Sequence, residues 1–273
     1  IDPEAPAWSA ATVEDLRSRY NGQLDMSSGR SFLDKLEGQL AGAPDATILL
    51  AAELINLLQL PLENVGQKTK ASRIRRMMTW LTEPRGPGPL LTFAWYEGSW
   101  HGGTGSNTML WRALFDMVEF LREWWQRPED ERTAALEDPW EWSRVLQSGT
   151  LTMPSTSHAL RYLGFPAYFL PIVNADHKNR IRKAFLPEIP QTTGDLEKDL
   201  FSITLAIQQR TGAAVDYYSP ALKQRWDPQT PVTARAWLVR GSSVQGQNLV
   251  PTWIHDGFIS LPAAMLEEVP EGA

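Results

Sequence analysis

The stretch whose reading decides the fold runs from Thr156 to Phe185: TSHALRYLGFPAYFLPIVNADHKNRIRKAF. An apolar helical piece carrying Ala159, Leu160 and Leu163 stops at Gly164 and Pro166, and an aromatic connector follows through Tyr168, Phe169 and Pro171. Asp176 then opens a basic segment with His177, Lys178, Arg180, Arg182 and Lys183. Asp is a good N-cap, and Ile181 and Phe185 stand four apart on one helical face. The spacing predicts a helix buried on one side, with its cations on the other side facing solvent or a polyanion.

Working outward, the composition is that of an ordinary globular chain. Its 273 residues are 42% hydrophobic and 21% charged, enough for one large domain or two smaller ones. The net charge of -6 gives no overall attraction for nucleic acid, so any such contact must come from local clusters. The absence of cysteine excludes disulfides and thiolate metal sites. No secretory signal is evident in IDPEAPAW. The longest apolar run, ATILLAAELINLLQLPL from Ala46, is broken by Glu53, Asn56 and Gln59 and falls short of a membrane span. It is expected to be a buried helix of a soluble cytoplasmic protein. Ile1 is not an initiator methionine, which fits a fragment of something longer. Twelve tryptophans are expected mainly in packing, with one or two able to stack on a base or ligand.

Along the chain the pattern is helical, with polar joints rich in Gly and Pro. Helices are predicted from Thr12 (as cap) to Tyr20, from Ser31 to Leu40, and from Ala46 to about Leu60, ahead of Pro61. A further helix over Gln67–Leu81 places Ile74, Met77, Met78 and Leu81 on one face. Its other positions carry Lys68, Lys70, Arg73, Arg75 and Arg76, with no acid between. The loop GSWHGGTGS (98–106) leads to a helix capped by Asn107 or Thr108, with Leu110, Leu114, Met117, Val118, Leu121 and Trp125 on one face. Glu129, Asp130 and Glu131 read as a solvated turn. Asp138-Pro139 reads as the start of a helix bearing Trp140, Trp142, Val145 and Leu146. Asp195 caps a helix striped with Leu196, Leu200, Ile203 and Ile207, which Gly212 ends. After Asp227-Pro228 the pattern changes to strand (ARAWLVRG), short helix (NLVPTWIHDG) and strand (FISLP). The predicted fold class is therefore mainly α: a multi-helix domain over 1–228, followed over 229–273 by the beginning of a small α/β domain; so short a piece buries no core of its own, so it either docks on the helical part or, as expected here, is truncated.

Several ordered blocks resemble the N-terminal region of McrB-like AAA+ ATPases, a bacterial family of modification-dependent restriction and defence. They are LLAAELINLLQLPLENVGQKTKASRIRRMMTW, GGTGSNTMLWRALFDMVEFLREW, LEDPWEWSRVL, HALRYLGFPAYFLPIVNADHKNRIRKAF and DLFSITLAIQQRTGAAVDYYSPALKQRW. Together they span most of Ser31 to Trp226. RAWLVRGSSVQGQNLVPTWIHDGFISL resembles the opening of an EVE-like domain of the PUA/YTH class, which the resemblance implies can cage a flipped, modified base. Trp237 and Trp253 are then candidate base-stacking residues, with core packing as the other reading. The resemblance also implies an AAA+ motor in the parent protein. This chain contains no G-x-x-x-x-G-K-[ST]; Gly102-Gly103-Thr104-Gly105 lacks the lysine.

No catalytic constellation emerges. His101-Gly102-Gly103 has the form of an esterase oxyanion loop, but the nucleophile elbow it requires is missing. His101, His158, His177 and His255 show no ligand spacing, so neither a metal nor a cofactor is expected. The two basic helices carry the functional expectation: Lys68, Lys70, Arg73, Arg75, Arg76, Lys178, Arg180, Arg182 and Lys183 are candidate nucleic-acid contacts, or else simply solvated faces. Phosphate contacts of this kind would be steeply salt-dependent. The expected function is a non-catalytic specificity module that holds DNA, including base-modified DNA, for the AAA+ motor of the same polypeptide. The alternative is a protein-interaction or autoinhibitory module that docks a nuclease or other effector without touching nucleic acid. No membrane partner is expected.

Overall fold

Short polar side chains set five of the eleven described helix starts. Ser9 accepts a hydrogen bond from Thr12 N (3.2 Å) and opens α1, Ala10–Tyr20. Ser31 opens α2, Phe32–Gln39, through a capping box closed by Asp34. Asp138 accepts from the backbone N–H groups of Trp140 (2.7 Å) and Glu141 (3.0 Å) ahead of Pro139, and Asp195 does the same for Glu197 and Lys198 (both 2.9 Å). The computed structural model describes residues 7–25, 27–87 and 109–228, together with Pro251 and His255.

The remaining helices are α3 Asp45–Gln59, α4 Gln67–Met78, α5 Leu110–Gln126, α6 Glu129–Glu137, α7 Pro139–Ser148, α8 Pro154–Gly164, α9 Ala175–Phe185, α10 Leu196–Thr211 and α11 Pro220–Trp226. The described residues are mainly helical and contain no strand. None of these helices is long and apolar enough to cross a membrane. The chain divides into two units, Ile1–Asp227 and Pro228–Ala273. The predicted strands ARAWLVRG and FISLP, the Gly-rich loop 98–106, the caps Asn107 and Thr108, and both Trp237 and Trp253 lie outside the described residues. The predicted short helix NLVPTWIHDG is described only at Pro251 and His255.

Three local expectations are corrected. Thr12 is not the cap of α1, because Ser9 takes that position three residues earlier. Asp176 does not cap α9: Asn174 Oδ1 accepts from His177 N (3.1 Å), and Asp176 sits in the first turn, where its charge favours the helix dipole. Glu129, Asp130 and Glu131 are not a turn. They form the acidic first turn of α6, started by Pro128, where negative charge is again favourable.

Two apolar clusters organise the first unit. The larger joins α1–α5 with parts of α7 and α8, and at its centre Leu16, Leu36, Leu50, Leu54, Ile74 and Leu114 are fully buried. α3 is buried along most of its length and packs against α1, α4 and α5. A polar seam ties α1 to α5: Tyr20 Oη donates to Trp111 O (2.8 Å), Asn21 Nδ2 donates to Glu119 (2.7 Å), and Arg17 pairs with Glu119 (3.0 Å). The smaller cluster gathers Ile181, Phe185, Leu200, Ile203, Ile207, Tyr217 and Trp226 from α9, α10, α11 and the loop before α11.

Two glycines have stated physical reasons. Gly212 follows α10 at φ 68°, the left-handed conformation that ends the helix. Gly164 ends α8 against Trp142, whose indole nitrogen donates to Leu160 O (3.0 Å). A Cβ on Gly164 would lie 2.8 Å from that nitrogen. Gly164→Ala is therefore expected to cost about 1–3 kcal/mol through overpacking, and Gly212→Ala about 1–2 kcal/mol through backbone strain alone. Urea denaturation of both variants checks this. An unchanged midpoint for Gly164→Ala would mean that the Trp142 indole moves aside freely.

Candidate functional site

The two basic helices do not present their cations as a pair of charged rods. On α4, Lys70 is 1% exposed, and its Nζ donates to Leu60 O (3.2 Å) at the end of α3. It serves as a cationic cap on the negative end of that helix, and burial lowers its pKa. Arg73 is half-buried and donates to Gln59 Oε1 (2.8 Å). Arg76 bridges Asp34 and Glu37 (2.6 Å each). Hydrogen bonds from Ser31 and Arg76 bring Asp34 down to about 2. Lys68 and Arg75 remain exposed, on the same stripe as Ser72.

On α9 the departure is larger. Lys178 is completely buried against Glu197. Arg180 pairs with Asp227 and, at 3.7 Å, with Asp176, and its guanidinium lies over Trp226 (5.5 Å). Arg182 binds the buried Asp199 (2.7 Å). Burial would raise the Asp199 pKa, but hydrogen bonds from Thr192, Thr193 and Arg182 hold it well below the usual carboxylate range. Lys183 is exposed. The expectation that all these cations face solvent or a polyanion is therefore corrected for Lys70, Arg73, Arg76, Lys178, Arg180 and Arg182. The physical reason is that carboxylates and carbonyls from other helices reach them in the folded chain.

Lys178 sits in a polar junction that the sequence reading missed. Glu197 Oε1 on α10 is 2.7 Å from Lys178 Nζ and 3.1 Å from His158 Nδ1 on α8. The same His158 nitrogen lies 3.2 Å from Lys178 Nζ and 3.5 Å from Arg161. Arg161 in turn donates to Ser143 Oγ on α7 and to Ser157 Oγ (2.8 Å each). All six side chains are buried. Burial, with Lys178 and Arg161 beside it, lowers the His158 pKa, so the ring is neutral near pH 7. Burial alone would raise Glu197, but the His158 hydrogen bond and the Lys178 charge bring it down to about 2. Burial lowers Lys178, against the pull of Glu197. The chemistry is that of a structural weld: the junction is enclosed, and its groups satisfy one another.

Two surface features remain. The Phe165-Pro166-Ala167-Tyr168-Phe169 connector forms an aromatic face with α7 and α10. Tyr168 stacks on Phe201 (5.2 Å between centroids), while Trp140 meets Phe169 (5.6 Å) and Phe201 (5.8 Å) edge-on. Tyr168 is exposed, as is Leu205 one turn beyond Phe201. Beside α9 lies a cleft of about 750 Å³, walled by residues 170–174, the 215–218 loop, His177 and Glu63. Among the described residues, no group of three or more His, Asp or Glu side chains could hold a metal ion.

Removing one partner of the buried pair strands the other charge. Lys178→Met is expected to cost about 3–5 kcal/mol, and the double variant Lys178→Met/Glu197→Gln to recover most of it. Chemical denaturation checks both; equal losses in single and double variants would contradict a weld of this kind. The folded pKa values of His158 and Glu197 are both depressed, so the unfolded chain binds the extra protons. Stability from His158 is full above its unfolded pKa and is lost as pH falls from about 6.5 towards its lower folded value. The Glu197 contribution is full above the ordinary Glu range and is lost as pH falls to about 2. The urea midpoint is expected to decline from pH 7.5 to 5, and His158→Gln to flatten that decline. A slope unaffected by His158→Gln would overturn the assignment.

Compared with models of known protein families, with curated proteins and with solved structures, the chain gives no match. The likeness to McrB-like ATPases and to EVE-like domains rests on the sequence blocks alone.

Proposed function

We propose that this chain is a non-catalytic helical module of a McrB-like defence NTPase, and that it works by docking a protein, such as a nuclease or other effector subunit. The observation that carries this reading is the fate of the basic helices. Most of their cations already have partners within the chain, Lys178 on the buried Glu197 and Arg76, Arg180 and Arg182 on carboxylates of other segments, so few are left to neutralise phosphates. The exposed Tyr168 and Leu205, flanking the half-buried Phe201, support contact with protein, because aromatic residues anchor such interfaces. In this reading the module passes its bound state to an AAA+ motor in the parent polypeptide, as the family resemblance implies.

A second reading is favoured by one observation. Lys68, Ser72 and Arg75 form an exposed polar stripe on α4, which supports DNA contact, with or without a base modification, through that helix alone. Reversing Arg76, Arg180 or Arg182 would not test it, since each already pairs with carboxylates of this chain. The informative variant is Lys68→Glu/Arg75→Glu.

Under the docking reading, anisotropy with plain and base-modified duplexes gives no binding tighter than about 10⁻⁴ M at physiological salt. Tighter binding that is lost in Lys68→Glu/Arg75→Glu with an unchanged melting temperature would establish the second reading instead. Tyr168→Arg/Leu205→Arg is expected to abolish capture of a co-expressed effector and to leave the melting temperature within a few degrees. Retained capture would remove the aromatic face from the interface.

A further inference from the structure

The cleft beside α9 has walls of a consistent chemistry. Its volume of about 750 Å³ falls within the range of sites that take a small group or a long side chain. One part of the wall is apolar, formed by Leu170, Ile172 and Val173. The charged residues on the wall are both acidic: Glu63 from the α3–α4 connection and Asp216 from the loop before α11. Among the described residues neither forms an ion pair. The nearest arginine on α9, Arg180, is already held by Asp227 and Asp176 and lies over Trp226.

Aromatic groups complete the wall. His177 Nδ1 and Tyr218 Oη are 2.9 Å apart, and both rings rest on Trp226, at 5.0 and 5.6 Å between centroids. Tyr218 is 43% exposed, yet its ring is held by these contacts. Ring faces and carboxylates around an apolar trough attract a cation with an aliphatic stem, through the ring quadrupole and through charge-assisted hydrogen bonds. An anion is disfavoured. The first turn of α9 is already capped by the Asn174 side chain and holds Asp176, so its amide groups and dipole are offset.

We infer that this cleft receives a lysine or arginine side chain presented by the protein partner, with Glu63 and Asp216 binding the charged head and Tyr218 and His177 flanking the stem. This rests on the docking reading and adds to it the chemistry of the residue recognised.

The test uses agmatine, a guanidinium on an alkyl stem that ends in a second cation, an ammonium group, and N-butylurea as a counterpart with neither charge, titrated into the whole chain. NMR signals of the His177 and Tyr218 rings report occupancy. Agmatine is expected to shift both rings saturably and N-butylurea to do so at least about fivefold more weakly, with Glu63→Gln and Asp216→Asn each weakening agmatine by about fivefold. The inference is overturned if agmatine leaves the rings unmoved, if N-butylurea binds equally well, or if Glu63→Gln/Asp216→Asn leaves agmatine affinity unchanged. Effector capture by Glu63→Gln/Asp216→Asn separates the two levels. Undiminished capture removes the cleft and leaves the docking reading standing, whereas duplex binding by the wild-type chain removes the docking reading itself.

Discussion

The architecture of the first unit depends on a buried charge being answered. Lys178 projects from α9 into a place without solvent, and Glu197 from α10 meets it at 2.7 Å. Either charge alone would be severely penalised by desolvation, so α9 and α10 are held to the one arrangement in which the two atoms touch. His158 and Arg161 extend the contact to α8, and Ser143 extends it to α7. The junction thus connects helices that contribute to the larger apolar cluster with helices that build the smaller one. Apolar packing tolerates small slides between helices, whereas a network of this kind selects an orientation.

Aromatic packing reinforces the same connection. Trp140, at the start of α7, is surrounded by Phe169 and Phe201, and Trp142 supplies the hydrogen bond that satisfies the Leu160 carbonyl near the end of α8. The Phe-Pro-aromatic connector therefore has a structural duty on its inner side, where Phe169 is buried, and leaves Tyr168 on the outer side. One short motif both fixes α7 against α10 and creates an exposed ring.

Much of the helical layout was legible along the chain. Ser31, Asp138 and Asp195 cap the helices predicted from them, and Gly212 ends α10. Misreadings of the caps were small and local: Ser9 and Asn174 outcompete Thr12 and Asp176, because the chain turns earlier than the first apolar residue suggests. The interior use of the cations was partly visible as well. Lys178, Ile181 and Phe185 share one helical stripe, as do Lys70, Ile74 and Met77, so both lysines stand on the faces that periodicity assigns to the core. Residue type outweighed position in the reading of those stripes. Glu197 likewise stands three residues before the buried Leu200, but nothing along the chain marks it or His158 as the partner of Lys178.

What the sequence determined by itself is the local part: which of the longer segments are helical, where several of them start and stop, and which faces are apolar. Those properties depend on propensity, capping and periodicity, all of which act within a few residues. Only the tertiary structure decided which charges are free. Whether Lys178 meets Glu197 or some other group, and whether Arg182 is left for a phosphate or bound by Asp199, depends on residues 19 and 17 positions apart in the chain being brought together by α9 and α10. Electrostatic pairing depends on distance and burial in space, and neither is encoded in the order of residues along one helix.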